Sequence, residues 1–378
     1  METRKAVFIH GAALESYSYP EDCPFQPSRA AGMRKIAASM GLLAGPDREV
    51  RAPEPAPRPV LEKFHDPRYL DVLAAAEAGS LDAEGVRMGL GTPDCPVFRG
   101  MYGYAALAAG ASVDGARLIL KGDAHVAFNP SGGYHHAHAA RAAGFCYIND
   151  VVLACMTLAE AGRRVTFIDV DAHHCDGVQA AFFERDDVMT ISFHESGKTL
   201  FPGTGFEDEI GEGRGRGYTV NVPLPVGTYD EAYVGAFRAV ALPLLHARRP
   251  DVIVMEAGMD ALAGDPLAHL NLTNNAYAEV AELVMGFGIP MLVTGGGGYN
   301  IENTIRGWAR VWSVLCGDSA GDDLSIGLGG VMLQSTEWSG GLRDRVLISH
   351  SGQRQAVDVA ISATVEAVKR QIFPIHGI

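Results

Sequence analysis

The chain has 378 residues, 47% hydrophobic and 20% charged, the composition of an ordinary globular protein. A formal net charge of −14 argues against nucleic acid as a partner. No run approaches the ~18 uninterrupted apolar residues of a membrane helix, and Ala6–Ile9 is too short for a secretory signal, so a membrane is not expected as a partner either.

Taken in order, Lys5–Ile9 reads as a buried strand and Pro27–Met40 as a helix. Pro53–Pro59 is a proline-rich loop within one domain, because the pattern resumes at once. Asp66–Ala78 is a helix closed by Gly79, Leu81–Cys95 an exposed loop, and Val97–Ala111 an alanine-rich helix. Ala124–Phe128 is a strand. A long helix within Ala139–Ala161 opens near Asn149 and Asp150, either of which can cap it. Val165–Val170 and Val188–His194 are strands, followed by the glycine-rich Ser196–Gly217. Asp230–Ala247 is helical, Asp251–Glu256 a strand, Thr273–Phe287 a helix and Pro290–Thr294 a strand. The turn Gly295–Gly298 leads into a helix over Asn303–Leu315, and a last helix lies between Arg354 and Ile372. Strands alternating with helices throughout predict an α/β fold, a parallel sheet flanked by helices, in a single domain over residues 1–378.

The most informative stretch follows Val165. A mostly apolar, β-branched-rich run breaks into Asp169-x-Asp171-x-His173-His174-x-Asp176. Alternation along a strand puts Asp169, Asp171 and His173 on one side. Two carboxylates and an imidazole are costly to bury, and a bound cation offsets that cost. Sites in open α/β sheets form at the carboxyl ends of strands, where this cluster lies. Three further strand ends carry polar groups: Gly132-Gly133-Tyr134-His135-His136, Gly258-Met259-Asp260, and Gly295–Gly298 before Tyr299. Asp171, His173 and Asp260 make three ligands suited to a catalytic zinc, which keeps a place for water. The histidine pair can serve as base and acid, and a tyrosine hydroxyl beside a glycine turn can reach an oxyanion. Six scattered cysteines form no C-x-x-C pair, which argues against a cysteine zinc site and for a reducing cytoplasm. H-E-x-x-H, G-x-G-x-x-G and a complete P-loop are absent.

The segments GGYHHAHAARAAGFCYIND, FIDVDAHHCDGVQ, VMTISFHE with FPGTG, LNLTNNAY and LVTGGGGYN strongly resemble the histone deacetylase family. The match runs in order from about Asp94 to Ala309 and is closest in type to class I members and bacterial acetoin-utilisation relatives. The resemblance implies the arginase-deacetylase fold, with eight parallel strands. It implies zinc, with ferrous iron possible in the cell, on Asp171, His173 and Asp260. It implies His136 as general base and then acid, His135 as electrostatic help, and Asp169 and Asp176 as hydrogen-bond partners of His135 and His136. It gives Tyr299 the carbonyl, Phe145 and Phe201 the walls of an acyl-lysine tunnel, Asp94 the substrate backbone at the rim, and Arg29 an internal channel. It implies a structural potassium on Asp169, Asp171, His173, Ser192 and Phe193, partly through carbonyls, and a second near Phe182, Val188 and Tyr218. Two positions depart from the family pattern. Cys175 stands where glycine is usual, and Tyr134 replaces a smaller or different apolar residue.

The implied substrate is an acyl-lysine protein or peptide, or a small acylated amine. A binuclear ureohydrolase would need a carboxylate at position 262, which is Leu262. An acetylpolyamine deacetylase would place a carboxylate at the substrate-binding position Leu267. A non-catalytic binding protein would be expected to lose His136 or Tyr299, and both are present. The oligomeric state is left open.

Overall fold

Alternation along the first strand sets the layering. In β1 (Ala6–Ile9), Phe8 packs on Phe128 and Trp312, in the same core as Ile191 and Phe193, while Val7 and Ile9 belong to the core on the opposite face with Phe167, Val254 and Leu292. Strands apolar on both faces belong in a parallel sheet covered on both sides. The computed structural model describes residues 5–318, 341–347 and 351–378. The other strands are β2 (Arg48–Arg51), β3 (Val126–Asn129), β4 (Val165–Asp169), β5 (Val188–Glu195), β6 (Thr219–Leu224), β7 (Val252–Glu256) and β8 (Met291–Thr294). They form one sheet in the order β2-β1-β3-β8-β7-β4-β5-β6, with every pair parallel.

Helices Ser28–Ser39, Asp230–Arg248, Asn274–Met285, Ile301–Leu315 and Ser351–His376 contribute to the core on the Phe8 face. Met101–Lys121, Asp150–Glu160 and Asp176–Phe182 contribute to the other. The expected α/β architecture with an eight-stranded parallel sheet is therefore the one observed, in a single domain.

Two strands were not expected, β2 and β6, and both are sheet edges. The segment Arg48-Glu49-Val50-Arg51 has one apolar residue, and β6 contains Asn221 and Pro223. An edge strand tolerates charge and proline because one side needs no ladder partner. The helix expected to stop at Ala111 runs on to Lys121, where Gly122 caps it in the left-handed conformation at φ +74°. Within Leu81–Cys95, Ala83–Arg87 is a short helix capped by Asp82. The last helix is longer at both ends than expected.

The strand order matters most for function. β3, β8, β7 and β4 are consecutive neighbours, although they are remote in sequence. Because all are parallel, the segments after them emerge side by side on one edge. These segments hold the histidine pair, Tyr299, Asp260 and the Asp171/His173 cluster.

Candidate active site

β4 ends at Asp169, and the chain then turns. This separates the three residues that alternation had put on one side. Asp169 Oδ2 lies 2.8 Å from His135 Nδ1, while Asp171 and His173 join Asp260. The ligand atoms of Asp171, His173 and Asp260 lie within 4.8 Å of one another and are buried. His173 Nδ1 is 3.1 Å from Asp171 Oδ1 and 2.9 Å from Asp260 Oδ2. One imidazole nitrogen thus faces two buried carboxylates. Burial presses His173 toward neutral, but the charges of Asp260 and Asp171 outweigh it and hold it well above its ordinary value. Burial and the Asp171 charge push Asp260 up to about 7.

This donor set fits a divalent cation, which would compensate both carboxylates at once. The backbone is shaped around the trio as well. Gly297 N–H donates to Asp171 Oδ2 at 2.7 Å, and Ala172 N–H donates to Asp260 Oδ1 at 2.7 Å. A Cβ on Gly297 would come within 2.0 Å of Asp260 Oδ2.

The two histidines beside the trio are held by separate carboxylates. His136 Nδ1 lies 2.7 Å from Asp176 Oδ1, and the two Nε2 atoms of His135 and His136 are 3.1 Å apart. Burial and then the charge of His135 lower His136 to about 4, so it is a free base at neutral pH. Burial also presses His135 down, but Asp169 and Asp171 outweigh it and raise His135 to about 9. The pair therefore divides into one neutral and one cationic ring. Glu256 is an addition that the sequence reading missed. Its Oε1 is 3.1 Å from His135 Nδ1, and its carboxyl is fully buried. Burial, with Asp169 next, pushes it well above the usual carboxylate range.

The loop carrying the histidines is anchored by the helix Asp150–Glu160. Asp150 accepts from Gly133 N–H and Tyr134 N–H, at 3.1 and 2.8 Å. Asn149 caps that helix as expected through Val152 N–H at 2.9 Å, and its amide also donates to the carbonyls of His135 and Ala137. Gly144 and Phe145 both take left-handed φ, +52° and +66°. A Cβ at Gly144 would strike the His136 ring at 2.4 Å. Phe145 is held in this backbone conformation with its N–H on Asp94 O at 2.9 Å, and it lines the cavity.

A cavity of about 500 Å³ leads to this centre, lined among others by Asp94, Phe145, His173, Phe201 and Leu267. All four sequence-predicted substrate residues therefore share one cavity. Phe201 packs edge-on to His136, with ring centroids 4.9 Å apart. Tyr299 sits 5.6 Å from Phe145 and 6.3 Å from His173, centroid to centroid. Burial and the charge of Asp260 push its phenol well up, so it remains a donor. Asp265, also missed, accepts from the backbone N–H groups of Tyr299 and Leu267, at 2.7 and 2.9 Å, and ties the two together.

Arg29 donates to the carbonyls of Gly296 and Gly298 behind Tyr299. Asp169 and Ser192 are cross-strand partners, with Phe193 next to Ser192. Ser192 Oγ is 2.8 Å from His194 Nδ1. Where the resemblance implies a second potassium, the carbonyls of Phe182 and Tyr218 accept from the Arg185 and Thr190 N–H groups. Cys175 has φ −77°, so its turn does not require glycine. Burial and then Asp169 hold its thiol well above its usual value, which leaves it protonated and shielded. Tyr134 is buried against Phe25 and Tyr104.

A buried carboxylate–imidazole trio, two carboxylate-held histidines and a tyrosine thus meet at the foot of one cavity on an all-parallel α/β fold, an arrangement suited to metal-assisted hydrolysis. The comparisons agree. Residues 23–315 match the histone deacetylase domain. The chain is 38% identical over 310 residues to histone deacetylase RPD3 of Saccharomyces cerevisiae, covering 81% of this chain and 71% of that one. It is 37% identical over 329 residues to acetoin utilization protein AcuC of Bacillus subtilis, covering 85% and 84%. Human histone deacetylase 1 is 37% identical over 308 residues, 81% of this chain but 63% of that one, so the chain spans less than two thirds of that relative. Among solved structures, an HDAC homolog in complex with SAHA superposes with a TM-score of 0.87 at 31% identity, covering 97% of this chain and all of that one. An HDAC homolog from Aquifex aeolicus gives 0.86 at 31% identity, with the same coverage. The chain belongs to the histone deacetylase family of amide-hydrolysing enzymes.

Proposed function

We propose that this protein is a zinc-dependent deacylase. It removes acetyl, or another short acyl group, from the side chain of acyl-lysine in a protein or peptide, or from a related small acylated amine. The observation that carries the reading is the convergence of the Asp171/His173/Asp260 trio, a His136 held on Asp176, and Tyr299 around one cavity walled by Phe145 and Phe201.

Asp171, His173 and Asp260 would hold the metal; ferrous iron would suit the same donors. When bound, the metal supplies Lewis acidity and eases deprotonation of water. Phe145 and Phe201 flank the acyl-lysine stem, Leu267 closes the rim, and Asp94 takes the substrate backbone. His136 Nε2 accepts a proton from the attacking water, and Asp176 stabilises the imidazolium through Nδ1–H. Tyr299 donates its hydroxyl to the carbonyl oxygen as charge develops there. His135 stays cationic between its carboxylates and adds positive potential. His136 then passes its proton to the leaving nitrogen, the C–N bond breaks, and a carboxylate and a free amine result.

A structural potassium on Asp169, Asp171, His173, Ser192 and Phe193 belongs to the same proposal, supported by the pairing of Asp169 with Ser192 across β4 and β5. Six unpaired cysteines support a cytoplasmic location. Among the described residues no helix is long and apolar enough to cross a membrane. The test is a screen of zinc-loaded protein against peptides bearing acetyl-, propionyl- and butyryl-lysine, and against acetylated polyamines. Turnover on at least one short acyl-lysine peptide is expected; none on any of these amides would overturn the reading.

A further inference from the structure

The carboxylate that holds His136 has a second partner, which the family resemblance does not assign. Asp176 Oδ1 takes His136 Nδ1–H at 2.7 Å, while Asp176 Oδ2 lies 3.1 Å from His138 Nε2. The two histidines thus grip opposite oxygens of one carboxylate. This matters because the terminal torsion of an aspartate is broad and two-fold. A carboxylate held through one oxygen rocks about that torsion and carries its partner imidazole with it. A second donor on the other oxygen fixes the plane.

His138 is well placed to be that donor. Its backbone N–H bonds to Arg141 O at 2.9 Å in a short antiparallel bridge. The preceding carbonyl, Ala137 O, is held by the Asn149 amide at 2.9 Å. The ring is therefore presented from a backbone fixed on both sides. The His138 side chain is 24% exposed and that of Asp176 14%, so water competes weakly for Oδ2.

We propose that His138 is a positioning residue for amide hydrolysis: by donating from Nε2 to Asp176 Oδ2 it locks the carboxylate plane, and through it the His136 ring that moves the proton. The proposal rests on the reading of His136 as the base. It concerns orientation during the chemical step, not substrate affinity, since His138 is not among the residues lining the substrate cavity.

The experiment compares His138→Leu, which removes the donor, with His138→Gln, whose side-chain amide reaches the same oxygen. Partners of this kind cost about 10-fold or more when removed. In zinc-loaded enzyme, His138→Leu is expected to lower kcat about tenfold with KM within about twofold, and His138→Gln to recover most of that loss. A second readout does not depend on activity. The low-field proton NMR signal of His136 Nδ1–H is expected to persist in wild type and His138→Gln, and to shift or broaden in His138→Leu. Wild-type kcat in His138→Leu, equal impairment in both variants, or an unmoved signal would overturn the proposal. An inactive wild type whose signal still responds to His138→Leu would instead overturn the deacylase reading and leave the positioning role standing.

Discussion

Replacing Tyr299 with phenylalanine removes one oxygen and little else. The ring contacts to Phe145 and His173 survive, because they involve the ring and not the hydroxyl. The backbone N–H keeps its 2.7 Å bond to Asp265, so the turn after Gly298 stays in place. On the proposed mechanism, what is lost is a donor aimed at charge that exists only as the carbonyl is attacked. One oxyanion donor is worth about 10²–10³ in turnover, or roughly 3–4 kcal/mol of barrier. Tyr299→Phe is therefore expected to lower kcat by about that factor while KM stays within a few-fold, since the ground-state carbonyl asks little of the hydroxyl. The assay is steady-state hydrolysis of an acetyl-lysine peptide by wild type and variant carrying equal, measured zinc, with matching melting temperatures. Near wild-type turnover in the variant would refute the assignment and place the oxyanion donor elsewhere. A large rise in KM at unchanged kcat would refute the differential-binding argument.

Other outcomes follow from the same geometry. His136→Ala is expected to cut kcat by about 10²–10⁴, because in the proposed mechanism one ring performs both proton transfers, and the same peptide assay reads it. Wild type, with Leu267 in the cavity wall, is expected to prefer acetyl-lysine peptides to acetylspermidine; Leu267→Glu is expected to raise kcat/KM for acetylspermidine about tenfold or more by pairing its distant ammonium, and an unchanged preference would defeat the gatekeeper argument. His65 is buried and lowered by that burial from 6.5 to about 4. Its neutral form is favoured in the fold, so its contribution is fully present above pH 6.5 and is lost as pH falls toward 4, about 3 kcal/mol at the limit. Urea denaturation at several pH values is expected to show a shallower loss of stability below pH 6.5 in His65→Gln than in wild type.

Much of this site was legible in the sequence because its chemistry is local. Asp169, Asp171, His173 and Asp176 lie between the end of one strand and the start of the next helix, and the histidine pair is contiguous. The sequence could not show which carboxylate faces which imidazole without the resemblance, and alternation alone put Asp169 with the metal trio. It parts from them because β4 ends at Asp169 and the chain turns. Glu256 escaped notice as the last residue of an apolar strand; only the pairing of β7 beside β4 brings it to His135. Asn149 and Asp150 were readable as helix caps, but their hold on the histidine loop spans a fold-level contact. His138 and Asp265 act on groups 38 and 34 residues away, and no local period marks them. The missed edge strands have the same origin, since their pairing and not their composition makes them strands.

The central claim is a single catalytic metal on Asp171, His173 and Asp260. Its most direct test is to strip the protein with a chelator, return zinc in known increments, and measure bound metal and acetyl-lysine peptide hydrolysis on the same samples, with Asp171→Ala as a control. The expected result is activity rising in proportion to zinc and saturating at about one ion per chain, with Asp171→Ala binding no catalytic ion and showing lower stability. Full activity in the stripped protein, or saturation only at two equivalent ions, would contradict it.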